Sequence, residues 1–129
     1  MTRPSPRPQR VLVVDDDAGV RATLVTVLET CGHTAIAAQD GAKGLEALRE
    51  FAADVVITDL KMPEMSGWEV ARFVKRRSPQ TPVILLTGVP DDAAGEPEAA
   101  RAVDLVLRKP IRIQQLLAAI TEVTSPPQQ

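Results

Sequence analysis

The feature that most constrains this chain is a short apolar run that stops on an acid. Val55, Val56 and Ile57 are β-branched and too few for a helix, so they read as a buried strand. The run ends at Asp59, and the loop behind it (residues 60–66) closes on Gly67. The pattern recurs along the chain. Arg10–Val14 runs into Asp15, Asp16 and Asp17, residues 82–87 end on the Thr87 hydroxyl, and residues 103–107 precede Arg108, Lys109 and Pro110. Residues 33–38 are a shorter, weaker version that starts at His33, which is expected to be exposed.

Segments of helical periodicity separate these runs. Ala18–Thr30 follows Asp17, a good N-cap, and offers Val20, Leu24, Val27, Leu28 and Cys31 as its core face before Gly32 stops it. Residues 41–52 should bury Leu45, Leu48 and Phe51. Gly67–Arg77 should bury Val70, Phe73 and Val74, and its basic end suits the helix dipole. Residues 112–123 offer Ile113, Leu116, Leu117, Ile120 and Val123. Residues 89–102 break the rhythm with Pro90, Gly95 and Pro97, so a long loop and then a short helix with Pro97 in its first turn are expected.

Strands alternating with helices imply a parallel sheet covered on both faces, with right-handed crossovers. The expected class is α/β: a flavodoxin-like (βα)5 doubly wound parallel sheet of strand order 2-1-3-4-5. Its switch point, between the first and third strands, sets the first strand's acids beside Asp59. At 129 residues the chain has room for one such domain, placed at residues 10–124. A disordered leader (residues 1–9) and a disordered tail (residues 125–129), both proline-rich, flank it.

Composition excludes several roles. The net charge of −2 gives no electrostatic case for a nucleic-acid partner, and without tyrosine and with few other aromatics there is no platform for stacking bases. One cysteine, Cys31, cannot form an internal disulfide, which fits a cytoplasmic location. No apolar run approaches the roughly 20 residues of a membrane span, and the basic N-terminus is not expected to be a signal peptide, because the apolar run after it (Val11 to Val14) ends in acids.

The polar strand ends form a constellation: Asp15 and Asp16, Asp59, Thr87 and Lys109. Three carboxylates within roughly 4–6 Å of one another repel, each close pair costing on the order of 4 kcal/mol at an effective dielectric of about 20. A hard cation such as Mg²⁺ relieves that cost, because oxygen-only ligands select it. Lys109 and Thr87 could then hold phosphoryl oxygens and leave Asp59 as nucleophile.

At this point the chain resembles a response regulator receiver domain of two-component signalling. The resemblance covers residues 11–123 and rests on Val13-Val14-Asp15-Asp16-Asp17, the stretch from Asp59 to Gly67, Leu85-Leu86-Thr87-Gly88 and Arg108-Lys109-Pro110. It implies a signalling module, not a dedicated enzyme, in which Asp59 takes a phosphoryl group from a histidine kinase or a histidine phosphotransfer protein. It also implies direct Mg²⁺ ligation by Asp16, Asp59 and the Lys61 carbonyl, with Asp15 acting through water, and a cis bond before Pro110. Donor docking is expected on Ala18, Ala22 and Val25, opposite the core face of their helix, together with Pro110 and Ile111.

Two departures stand out. Val106 occupies the position where the family usually carries a switching aromatic, so output is expected to run through ordering of residues 89–102 instead. Val89, apolar and two residues past Thr87, offers nothing to orient an attacking water, so phosphoryl loss should be slow. Two rival readings compete. An aspartate-nucleophile phosphohydrolase would want an acid two residues past the nucleophile, where Lys61 stands. A flavin-binding carrier would not place three aspartates where phosphate must sit.

Overall fold

The computed structural model describes residues 7–88 and 102–125. Its strands are β1 (Arg10–Val14), β2 (Thr34–Ala38), β3 (Val55–Asp59), β4 (Val83–Thr87) and β5 (Leu105–Arg108). Its helices among the described residues are α1 (Ala18–Thr30), α2 (Gly41–Glu50), α3 (Gly67–Arg77) and α4 (Ile113–Thr124). The strands form one parallel sheet in the order β2-β1-β3-β4-β5. The expected topology is therefore the observed one.

Alternation along the strands builds two cores. Val11 and Val13 of β1, Val55 and Ile57 of β3, and Ile84 and Leu86 of β4 face α1 and α4, where Leu24, Leu28, Leu116 and Ile120 meet them. Leu12, Val14, Val56 and Val83 face the other way, onto Val70, Ala71 and Val74 of α3. Each fully buried Val, Leu or Ile contributes about 1.5–3 kcal/mol, so the three central strands carry much of the stability.

Several of the described side chains sit where the sequence pattern did not put them. Phe73 is 43% exposed, because the buried stripe of α3 is Gly67, Val70, Ala71 and Val74, and residue 73 lies on its flank. Ile113 is 54% exposed as the first residue of α4, before the helix reaches the sheet. Cys31 is exposed, since it is the C-cap of α1 and Gly32, at φ 93°, turns the chain away. His33 is buried instead of exposed: its Nδ1 accepts the Gln9 N–H at 3.0 Å, and its own N–H bonds the Leu28 carbonyl at 3.0 Å. The long loop and short helix expected within residues 89–102 fall outside the described residues except for Ala102, as do most of the leader and tail.

Candidate functional site

Three strand ends and one turn build the site. β1 ends at Val14, and the chain bends through Asp15-Asp16-Asp17 into α1. The bend is held from several sides. The Asp15 N–H bonds the Ala38 carbonyl (3.1 Å), the Asp17 N–H bonds Asp15 Oδ1 (2.9 Å), and Asp17 Oδ1 caps α1 by accepting the Val20 N–H (3.1 Å). Asp59 closes β3, and its Oδ1 accepts the next N–H, that of Leu60, at 3.0 Å. Thr87 closes β4 and is buried, and its carbonyl accepts the Lys109 N–H at 2.8 Å.

The side chains meet as the topology requires. Ligand oxygens of Asp15, Asp16 and Asp59 all lie within 4.8 Å of one another. Asp15 and Asp59 are buried, while Asp16 is exposed. Lys109 Nζ stands 3.0 Å from Asp59 Oδ1 and 3.7 Å from Asp15 Oδ2. Burial pushes the Asp15 carboxyl above its ordinary range; the Asp17 N–H opposes that rise, and the Asp59 charge adds to it. For Lys109, burial works against the charge, but the Asp59 hydrogen bond and the surrounding carboxylates outweigh it and hold the ammonium above its usual pKa.

This geometry fits a small divalent cation. Asp15 Oδ2 is buried with no hydrogen-bond partner, a costly state for a carboxylate oxygen. Three carboxylates facing one ammonium leave two negative charges, which a dication balances. Oxygens on opposite sides of a Mg²⁺ sit about 4.2 Å apart, so the cluster needs little contraction to hold one.

Lys61 is exposed on the loop that leaves β3, two residues past Asp59, where it lines a cavity of about 550 Å³ with Met62, Pro63 and Trp68. The Lys109–Pro110 peptide is cis. Ala18 and Ala22 are exposed on α1, but Val25 and Ile111 are half-buried and pack against the α1/α4 core. The expectation that Val25 lies opposite the core face is therefore corrected: the apolar stripe of α1 is broad enough to include it. Beside α1 lies a hollow of about 430 Å³, lined by Val20, Thr23, Leu86, Pro110 and Ile111 among others. Val106 is 38% exposed on β5.

Two supports went unread in the sequence. Ser66 and Glu69 form a reciprocal capping box at the start of α3, a Ser-x-x-Glu signal that was there to find. Gly67 lies so close to β3 that an added Cβ would fall on the Asp59 carbonyl oxygen and on Leu85.

Fold and site together define a doubly wound signalling module with an acid cluster at its switch point. The family model for the response regulator receiver domain matches residues 11–121, and the chain belongs to that family. It is 37% identical over 116 residues to the DNA-binding transcriptional regulator NtrC of Escherichia coli (strain K12), covering 89% of this chain and 24% of that protein. Across such relatives the chain spans between 24% and 53% of their length. Among solved structures, a receiver domain protein from Clostridium thermocellum matches with TM-score 0.83 and 33% identity, covering 90% of this chain and 94% of that one. The response regulator TrrA of Thermotoga maritima, solved in complex with Mg²⁺ and BeF, matches with TM-score 0.82 and 28% identity, covering 89% and 98%. Among the described residues no helix is long and apolar enough to cross a membrane.

Proposed function

We propose that Asp59 is the phosphoacceptor of this module, that its phosphodonor is a phosphohistidine on a histidine kinase or phosphotransfer protein, and that the exchange takes place in the cytoplasm. The observation that carries this reading is the convergence of three carboxylates within 4.8 Å, with Lys109 3.0 Å from one of them. Asp59 Oδ1 is engaged by Leu60 and Lys109, so Oδ2 is the oxygen left for a ligand. In the reaction an Asp59 oxygen attacks phosphorus and the P–N bond to the donor imidazole breaks; the bond's electron pair stays on nitrogen, and a ring already protonated on its other nitrogen leaves as neutral histidine.

Asp16, Asp59 and the Lys61 carbonyl would hold Mg²⁺, with Asp15 reaching it through water. When bound, the ion offsets negative charge on the phosphoryl oxygens. Lys109 turns its ammonium from Asp59 to a phosphoryl oxygen, and the Thr87 hydroxyl takes another. Burial excludes bulk water from Asp59 and strengthens each of these contacts. The donor's helices would dock over Ala18, Ala22 and the hollow beside Pro110. DNA binding is stated of NtrC, a much longer protein; for this module, a net charge of −2 supports a reading without direct nucleic-acid contact.

The test is intact mass after incubation with acetyl phosphate and Mg²⁺. The parent should gain one phosphoryl group and Asp59→Asn none; equal labelling of both would move the acceptor elsewhere. A dedicated phosphohydrolase would turn over a general phosphatase substrate many times, and none is expected here. Ala22→Glu should slow transfer from the kinase and leave acetyl phosphate labelling intact. Equal slowing of both would remove the docking role.

A further inference from the structure

Resting on the reading above, we infer that Arg21 is a positioning residue for the metal site: it orients the peptide between Asp15 and Asp16. Arg21 lies in the first turn of α1, and its Nη1 donates to the Asp15 carbonyl oxygen at 2.7 Å. That carbonyl belongs to the peptide that carries Asp16. Holding it fixes the backbone from which the Asp16 side chain projects towards Asp59. The Arg21 N–H bond to the Asp17 carbonyl, at 3.0 Å, is the ordinary i→i−4 bond of the helix, so the side-chain contact is the one that a substitution removes.

The turn needs such a grip. Asp16 is exposed and close to two other carboxylates, so repulsion drives it outward into water. The bonds made by Asp15 and Asp17 side chains anchor the residues on either side of it. A guanidinium is suited to the task, because it stays charged and its planar fork tolerates partial burial.

Charge and position make opposite forecasts. As a positive charge near a cation site, Arg21 would weaken Mg²⁺ binding by simple repulsion, and its removal would tighten it. As a positioning group, its removal loosens the turn and weakens binding. Groups that orient metal ligands typically carry 10–100-fold in affinity. For an arm this partly exposed the lower end applies, so Arg21→Met should weaken Mg²⁺ about tenfold.

The experiment measures Mg²⁺ binding by calorimetry on the parent, Arg21→Met and Arg21→Lys. It also measures amide exchange at Asp17 and the urea midpoint, both without metal. The expected result is weaker Mg²⁺ binding in Arg21→Met, partial recovery in Arg21→Lys, and faster Asp17 exchange beyond any fall in global stability. Binding by Arg21→Met as tight as the parent, or tighter, overturns the inference. So does a fall in the urea midpoint that accounts for all of the exchange. A parent that takes up no Mg²⁺ overturns the functional reading itself, a result distinguishable from either.

Discussion

Asp15 is held in an electrostatically unfavourable place, since burial raises its pKa. It is 1% exposed, one of its oxygens lacks a hydrogen bond, and a second carboxylate faces it. Asp15→Asn should therefore raise the melting temperature of the metal-free protein, since the amide keeps an acceptor for the Asp17 N–H and sheds the charge. With Mg²⁺ present the advantage should shrink or reverse, because the parent then gains binding energy that the variant lacks. A variant less stable than the parent without metal would show that the charge is not costly there. The four groups that meet, Asp15, Asp16, Asp59 and Lys109, were legible because each follows an apolar run whose strand end is fixed by topology. Arg21 was not, because an arginine on a helix announces nothing until its partner carbonyl is located. Val25 was misjudged because angular position alone says little on a helix whose buried stripe is wide.

At the scale of elements, the packing of α3 onto β3 leaves no room for a side chain at Gly67. Gly67→Ala would drive a methyl into the Asp59 carbonyl and the Leu85 side chain, and backbone cannot yield as a side chain can. The expected loss is about 1–3 kcal/mol in urea unfolding, with weaker Mg²⁺ uptake. The nearest atoms that Gly41→Ala meets belong to the Met65 side chain, which can swing aside, and it should cost less. Equal losses would mean that the backbone contact is not special. At the opposite edge of the sheet, burial lowers the pKa of His33 below 6.5. The unfolded chain then binds more protons than the folded one as pH falls through 6.5, so stability present above that value is lost below it. His33→Gln should flatten the fall in urea midpoint between pH 7.5 and about 5.5; an unchanged slope would place the titration elsewhere. Among the described residues, helix and strand positions were readable from periodicity within a residue or two. The faces of Phe73 and Ile113 were not, because hydrophobic identity outweighed angle and element end.

At the scale of the whole molecule, a ligand that binds only the folded state must stabilise all of it. At ten times its dissociation constant, Mg²⁺ should add about 1.4 kcal/mol, a rise of a few degrees in melting temperature for a domain of this size. Asp16→Asn and Asp59→Asn should lose most of that rise, and a full rise in both would place the ion outside the acid cluster. The sheet order was legible because few right-handed windings accommodate five strands whose polar ends gather at one edge. The buried His33 was not, since its partners, Gln9 and Leu28, are joined to it only once β1, α1 and β2 are assembled.

The bare backbone at position 67 has a mechanical meaning. Where most helices rest on a strand through side chains that can rotate to absorb a mismatch, α3 leans straight on the main chain of the residue whose carboxylate is proposed to change charge. No side chain lies between them at that point. A displacement of the end of β3 would press directly on the first turn of α3, with no side chain in between to rotate out of the way.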